Sequence, residues 1–257
     1  MIYRSVQPFF SLTTVLPAVS GYWRFFSDLR RYRSMGGVVQ SGDFWPCLFD
    51  RTSSTGIDPH YFHQAVWAGR KIHVFDPPEH VDVGSDVRYV GMLTTMMPVQ
   101  FVDIRPLQLD IPNYAGIDGS VLAMPFDDLS VRSISCMHVI EHIGLGRYGD
   151  PLDPEGSIKA CAELQRVLAD GGQLLVSMPI GSPRVQFNGQ RVVAVREVID
   201  MFSELTLVEM AMVDAKGKFL PQVSPEDQRI AELEAMRADF GLGLFHFTRT
   251  GGSSDDS

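Results

Sequence analysis

Two short runs hold residues whose types and spacing could do chemistry. The first is His138-Val139-Ile140-Glu141-His142, two imidazoles and a carboxylate within one stretch. On a continuing helix, two histidines spaced this way would bind zinc beside a glutamate base. Gly144 and Gly146 follow within a turn and would break such a helix, and Val131–Met137 just before it reads as a strand. No metal site is therefore expected and a zinc peptidase is a less favoured function; a dehydrogenase is less favoured still, since no G-x-G-x-x-G follows the first strand. Without a metal, Glu141, His142, Arg147, Tyr148 and Asp150 could bind a polar substrate, with His142 as a base for a hydroxyl proton. As plain structure, Gly144–Pro154 would be a rigid surface connection.

The second run is His80-Val81-Asp82-Val83-Gly84-Ser85-Asp86. A glycine after a buried strand lets the backbone approach a ligand closely, and a following helix N-terminus offers unpaired N–H groups. Asp103 lies about twenty residues beyond Gly84, at the end of the next strand. A carboxylate there can accept both ribose hydroxyls of an adenosine-type ligand; otherwise it would serve as a turn or cap aspartate.

These runs need elements to position them. Asp58-Pro59 predicts a capped helix start, with the helix running to about Val74. Strand Val81–Gly84, helix Val87–Met97 and strand Gln100–Ile104 follow, then a third strand within Gly116–Leu122 and a fourth at Val131–Met137. A helix from Asp153-Pro154 to the turn Gly171-Gly172 carries Ile158, Cys161, Leu164 and Leu168 as one apolar stripe. Strand Gln173–Met178, a helix near Val192–Phe202, strand Leu205–Val213, a helix opened by Ser224-Pro225-Glu226-Asp227 and strand Leu242–Arg249 complete the pattern. Such alternation predicts a largely parallel sheet covered on both faces, with ligands at the carboxyl ends of its strands.

The run Gly119-Ser120-Val121-Leu122-Ala123-Met124-Pro125-Phe126, the His138–His142 run, Ala162–Leu168, Gly171-Gly172 and Leu174–Pro179 together resemble the class I S-adenosylmethionine (SAM)-dependent methyltransferases. His138–Pro154, Arg184–Asn188 and Trp45–Arg51 resemble more closely one branch of that fold, domain of unknown function 268. The resemblance implies a Rossmann-like α/β fold with a mostly parallel seven-stranded sheet, Leu242–Arg249 being its antiparallel member. It implies SAM as cofactor: Asp82, Gly84 and Ser85 at its amino-acid portion, Asp103 at the ribose, Ser120 and Val121 at the adenine, His138 beside the cofactor, and Ile104 among the cofactor-binding residues. The acceptor would meet the loop after the fourth strand, making Glu141, His142, Arg147 and Asp150 the candidate catalytic residues. Asp86 and Arg88 stand where the family's loop has its second and third glycines, and Ser120 replaces its usual acid. Two functions follow as expectations. One is methyl transfer to a small polar acceptor, with a sugar or glycan precursor as one candidate. The other is a catalytically silent binding or scaffold module.

Composition bounds these expectations. The 257 residues are 45% hydrophobic and 21% charged, which suits a globular domain with a sizeable core. The net charge of −9 disfavours sequence-independent nucleic-acid binding. Cys47, Cys136 and Cys161 form no zinc or disulfide pattern, and a reducing cytoplasm is expected. The uncharged stretch Val6–Trp23 contains Pro8 and Pro17 and is too polar for a stable membrane insertion, although Phe9, Phe10, Trp23, Phe25 and Phe26 admit a surface-membrane role. The expected organisation is an N-terminal extension over 1–58 packed on the core, a methyltransferase-like domain over 59–250 and a disordered tail over 251–257.

Overall fold

Asp58 shows how local chemistry starts the larger unit of the chain. In a computed structural model that describes residues 12–53 and 55–251, its carboxylate accepts the backbone N–H groups of His60 and Tyr61 at 2.9 and 3.3 Å. Those N–H groups have no partner inside the helix, so the cap and Pro59 set its start. The chain divides just before this residue, between Ile57 and Asp58.

In the first unit, helix α1 (Leu12–Ser34) contains Pro17. Leu48 packs so closely on Gly21 that a β-carbon there would lie 2.8 Å from the Leu48 side chain. Phe25 and Phe26 meet Phe44 edge-on.

The second unit alternates strands and helices. Helix α2 (Pro59–Phe75) precedes β1 (His80–Val83), α3 (Val87–Leu93), β2 (Val99–Asp103), β3 (Tyr114–Asp118) and β4 (Val131–Met137). Helix α4 (Gly156–Val167) leads into β5 (Leu168–Ile180), the hairpin β6 (Arg184–Gln186) and β7 (Gln190–Val192), then α5 (Val195–Met201) and β8 (Thr206–Val213). Strand β9 (Phe219–Leu220), helix α6 (Gln228–Ala235) and β10 (Gly241–Thr248) close the unit. The sheet order is β3-β2-β1-β4-β5-β10-β8-β9. Strands β1 to β5 are parallel, and β10 runs antiparallel between β5 and β8, as expected for the last strand. The expected seven strands become eight, because the two-residue β9 adds to the edge of β8.

Residues on successive strand positions point to opposite faces. Val81 and Val83 of β1, Ile134 and Cys136 of β4 and Leu174, Val176 and Met178 of β5 share one core with α4, α5 and α6. The opposite face packs Val99 and Phe101 of β2 and Leu242 and Leu244 of β10 with α2 and α3. Cys136 and Cys161 are buried in the first core as small apolar residues.

Three expectations change. Strand β5 begins at Leu168 and runs through Gly171 (φ +69°) and Gly172, where a turn was expected. The reason is β10: Gly171 donates to the Arg249 carbonyl, and Thr248 and Arg249 donate to that of Gly172, so the pair stays in the sheet. The stripe of α4 is Ala160, Cys161, Leu164 and Val167; Ile158 is exposed and Leu168 already belongs to β5. Helix α6 is capped by Asp227, which accepts the Arg229 N–H at 2.9 Å, rather than by Ser224. The tail call for 252–257 lies outside the described residues, as do Phe9 and Phe10.

Candidate active site

Parallel pairing brings the carboxyl ends of β1, β2 and β4 together, with Val83 opposite Val102 and Asp82 opposite Ser135. Gly84 and His138 directly follow β1 and β4, and Asp103 is the last residue of β2. Gly84 adopts φ +64°, a conformation that side chains rarely take. A β-carbon added there would lie 3.4 Å from Val139 and 3.5 Å from Asp103 Oδ2. Those are ordinary contact distances, so it is the positive φ that calls for glycine, and its bare backbone lies close to the ends of β2 and β4. Asp103 uses Oδ1 to accept the Arg105 N–H at 2.7 Å. Its Oδ2, facing Gly84, has no hydrogen-bond partner among the described residues. Ile104 is exposed beside it. Ser120 accepts the Leu122 N–H at 3.1 Å and stays partly open, whereas Val121 is buried in the core.

Asp82 and Ser85 are occupied internally. Ser85 Oγ donates to Asp82 Oδ2 at 2.7 Å and accepts the Met137 N–H at 3.1 Å, tying the end of β1 to the end of β4. Behind them lies a buried chain of polar groups. Gln173 Nε2 donates to Ser133 at 3.0 Å. Ser133 and Ser135 bond the two nitrogens of His80, each at 2.8 Å. Ser135 also donates to Asp82 Oδ2 and accepts from Tyr89 at 3.3 Å. Each hydroxyl has one proton, so one assignment fits all: Ser133 donates to His80 Nδ1, and His80 Nε2–H donates to Ser135. Burial pushes the Asp82 carboxyl up to about 6, against the hydroxyls that favour its ionised form. Burial holds His80 down to about 3, so it is neutral.

The loop after β4 is built differently. His138 adopts φ +61°, uncommon outside glycine and seen at functional sites. Its Nδ1 bonds Glu141 Oε1. Glu141 is fully buried and its Oε2 has no partner. His142 Nδ1 donates to the Gly189 carbonyl at 2.7 Å, which leaves Nε2 as the basic nitrogen, 3.8 Å from Glu141 Oε1. Burial lowers the His142 pKa, more than Glu141 raises it, so the ring is neutral near pH 7. The zinc-binding helix is not formed: Ile140–His142 is a single 3-10 turn, followed by Gly144 and Gly146 at φ +79° and +69°.

Asp150 staples this loop. It accepts the N–H groups of Gly144 at 2.7 Å, Gly146 at 3.4 Å and Tyr148 at 3.3 Å. Arg147 lies 5.1 Å from the Tyr148 ring centroid, and Arg105, from beyond β2, lies 4.9 Å from the same centroid. Sequence reasoning missed Arg105, His60 and Tyr61. Tyr61 stacks on His138 at 5.2 Å and His60 at 5.8 Å, both carried in by the capped start of α2. Burial lowers the His60 pKa and raises that of Tyr61, so both rings are neutral. The pair Asp86–Arg88 closes on itself at 2.7 Å, with the arginine side chain 82% exposed to solvent.

Residues 126–218 match the family described as "Caenorhabditis protein of unknown function, DUF268". No curated protein matches the chain. Among solved structures, it is similar to a putative sarcosine dimethylglycine methyltransferase from Galdieria sulphuraria, with TM-score 0.53 and 14% identity over 74% of this chain and 86% of that one. It is also similar to the cyclase SpnF, with TM-score 0.52 and 14% identity over 74% and 81% of the two chains. A third is the N-methyltransferase NodS from Bradyrhizobium japonicum WM9, with TM-score 0.50 and 13% identity over 76% and 98%. At such identity the likeness establishes the fold, and the presence of a cyclase shows that the fold does not fix the reaction. The chain thus has the fold of the class I SAM-dependent methyltransferases and is linked through residues 126–218 to the DUF268 family.

Proposed function

We propose that the chain transfers a methyl group from SAM to a small polar acceptor held by the loop after β4. One observation carries this reading: Asp103 Oδ2, without a hydrogen-bond partner among the described residues, faces the bare backbone of Gly84, which takes a φ of +64°. A ribose needs a carboxylate with a free oxygen, and close backbone approach needs a glycine. The residues therefore fit the cofactor. Asp103 would hold the ribose, Gly84 would leave room for the amino-acid portion, and Ser120 and Ile104 would border the adenine.

When bound, SAM supplies an electrophilic methyl group on a sulfonium. The chain's own part is placement and proton handling. His142 Nε2 takes the acceptor's proton, and the Glu141 carboxylate beside it stabilises the imidazolium that results. Glu141 also fixes His138. Arg147 and Tyr148 hold polar groups of the acceptor, and Asp150 keeps them in place through the loop backbone. Asp82 and Ser85 act one step back, by joining the strand ends.

Titration calorimetry with S-adenosylhomocysteine tests the reading. We expect saturable binding by wild type and about ten- to one-hundred-fold weaker binding by Asp103→Ala, the loss of charge-assisted hydrogen bonds. Equal affinities would remove Asp103 from the site. No binding by wild type would favour a silent scaffold.

A further inference from the structure

The first unit exposes large apolar side chains where a globular surface normally hides them. On α1, Val15, Val19, Tyr22, Trp23 and Phe26 are all exposed, Trp23 to 79%. Their spacing places them on one helical face. Trp45, in the same unit, is 85% exposed. Single exposed apolar residues are ordinary, but a continuous aromatic stripe marks an interaction surface.

Charge says what covers it. Residues 1–57 contain six arginines and three aspartates, with no lysine and no glutamate, although the whole chain carries −9. The unit is therefore basic and the remainder more acidic than the total. Arg30 and Arg33 lie four and seven residues beyond Phe26, on the continuation of the same stripe. Arg30 has no partner among the described residues, and Arg33 donates to the Val39 carbonyl. Aromatic rings followed by guanidinium groups along one face match an interface where acyl chains meet anionic phosphates. Among the described residues no helix is long and apolar enough to cross a membrane, so the match is to a surface.

We propose that α1 docks this chain on anionic phospholipid membranes, with Trp23 and Phe26 in the acyl boundary and Arg30 and Arg33 on the phosphates. This goes beyond the methyl-transfer reading and does not depend on it.

Vesicle flotation of the full chain tests it. We expect flotation with vesicles containing phosphatidylserine, little with phosphatidylcholine alone, and loss of binding as salt is raised. Trp23→Ser combined with Phe26→Ser should weaken binding about tenfold or more, and Arg30→Gln with Arg33→Gln should flatten the salt dependence. Circular dichroism should show both variants folded. Tryptophan fluorescence should shift to the blue on vesicle binding in wild type, since Trp23 and Trp45 are exposed whereas Trp67 is already buried. Absence of flotation, equal binding to neutral vesicles, or wild-type binding by the aromatic variant would each overturn the proposal. A change from oligomer to monomer in the aromatic variant, seen by sedimentation, would assign the face to a second copy instead.

Discussion

Two regions of the second unit bury histidines beside a carboxylate, and they differ in what is left unpaired. Behind the strand ends, His80 and Asp82 are linked through Ser133, Ser135 and Ser85, and only Gln173 Oε1 at the far end lacks a partner. After β4, His138 holds a left-handed backbone, Glu141 keeps a buried oxygen without a partner, and His142 presents Nε2 without a hydrogen bond. Satisfied polar groups fix a structure; an unsatisfied one carries a desolvation cost that a ligand can relieve. The first region is thus read as scaffold and the second as the working site, although their residue types are nearly the same.

Variants at the two carboxylate–histidine sets can break this contrast. Glu141→Gln should lower methyl transfer by roughly 100-fold or more, measured with the acceptor once found, while leaving the melting temperature nearly unchanged. A large loss of stability instead would make Glu141 part of the scaffold. His80→Ala should do the reverse, destabilising the fold by about 2–4 kcal/mol in chemical denaturation, because it removes the acceptor of the buried Ser133 hydroxyl and a donor to Ser135 and leaves a cavity. A variant as stable as wild type would mean that the buried chain of hydroxyls holds nothing in place.

The pH dependence sharpens the contrast further. The folded pKa of His80 is about 3, below its usual 6.5. A depressed folded pKa gives stability that is present above 6.5 and is lost as pH falls toward 3, because the unfolded chain takes up the proton first. The stability advantage of wild type over His80→Gln should therefore shrink as pH is lowered through that window. Asp82 acts in the opposite sense: its raised pKa of about 6 favours the fold below the usual 3.8 and opposes it as pH rises through 6. Its contribution is common to both proteins and drops out of their difference to the extent that His80→Gln leaves Asp82 undisturbed. A difference independent of pH would contradict a buried neutral His80. The smallest effect is expected at Arg88→Ala, which should alter S-adenosylhomocysteine affinity by less than about twofold, since the exposed side chain pairs among the described residues with Asp86 alone. A large loss would bring the Asp86–Arg88 pair into the site.

Legibility in the sequence followed the range of the interactions. Strand β4 and the Asp58 cap were readable, because an apolar run and an N-cap are local signals. The passage of β5 through Gly171-Gly172 was not, because its cause is hydrogen bonding to Thr248 and Arg249, far along the chain. The hairpin β6–β7 was missed although Asn188-Gly189 is a turn signal that could have located it. Gly84 and Asp103 were singled out by their spacing at the ends of successive strands, and parallel pairing makes those ends neighbours. His60, Tyr61 and Arg105 were not, since only tertiary packing brings them to His138 and Tyr148. Asp150 was singled out for its charge, whereas the structure engages it with loop N–H groups.

A crystal structure with S-adenosylhomocysteine tests the central claim most directly. We expect the ribose hydroxyls within about 3 Å of Asp103 Oδ2, the amino-acid portion over Gly84, and the sulfur facing the Glu141–His142 side of the cleft. Ligand bound elsewhere, or a ribose held by other groups with Asp103 Oδ2 left free, would contradict it.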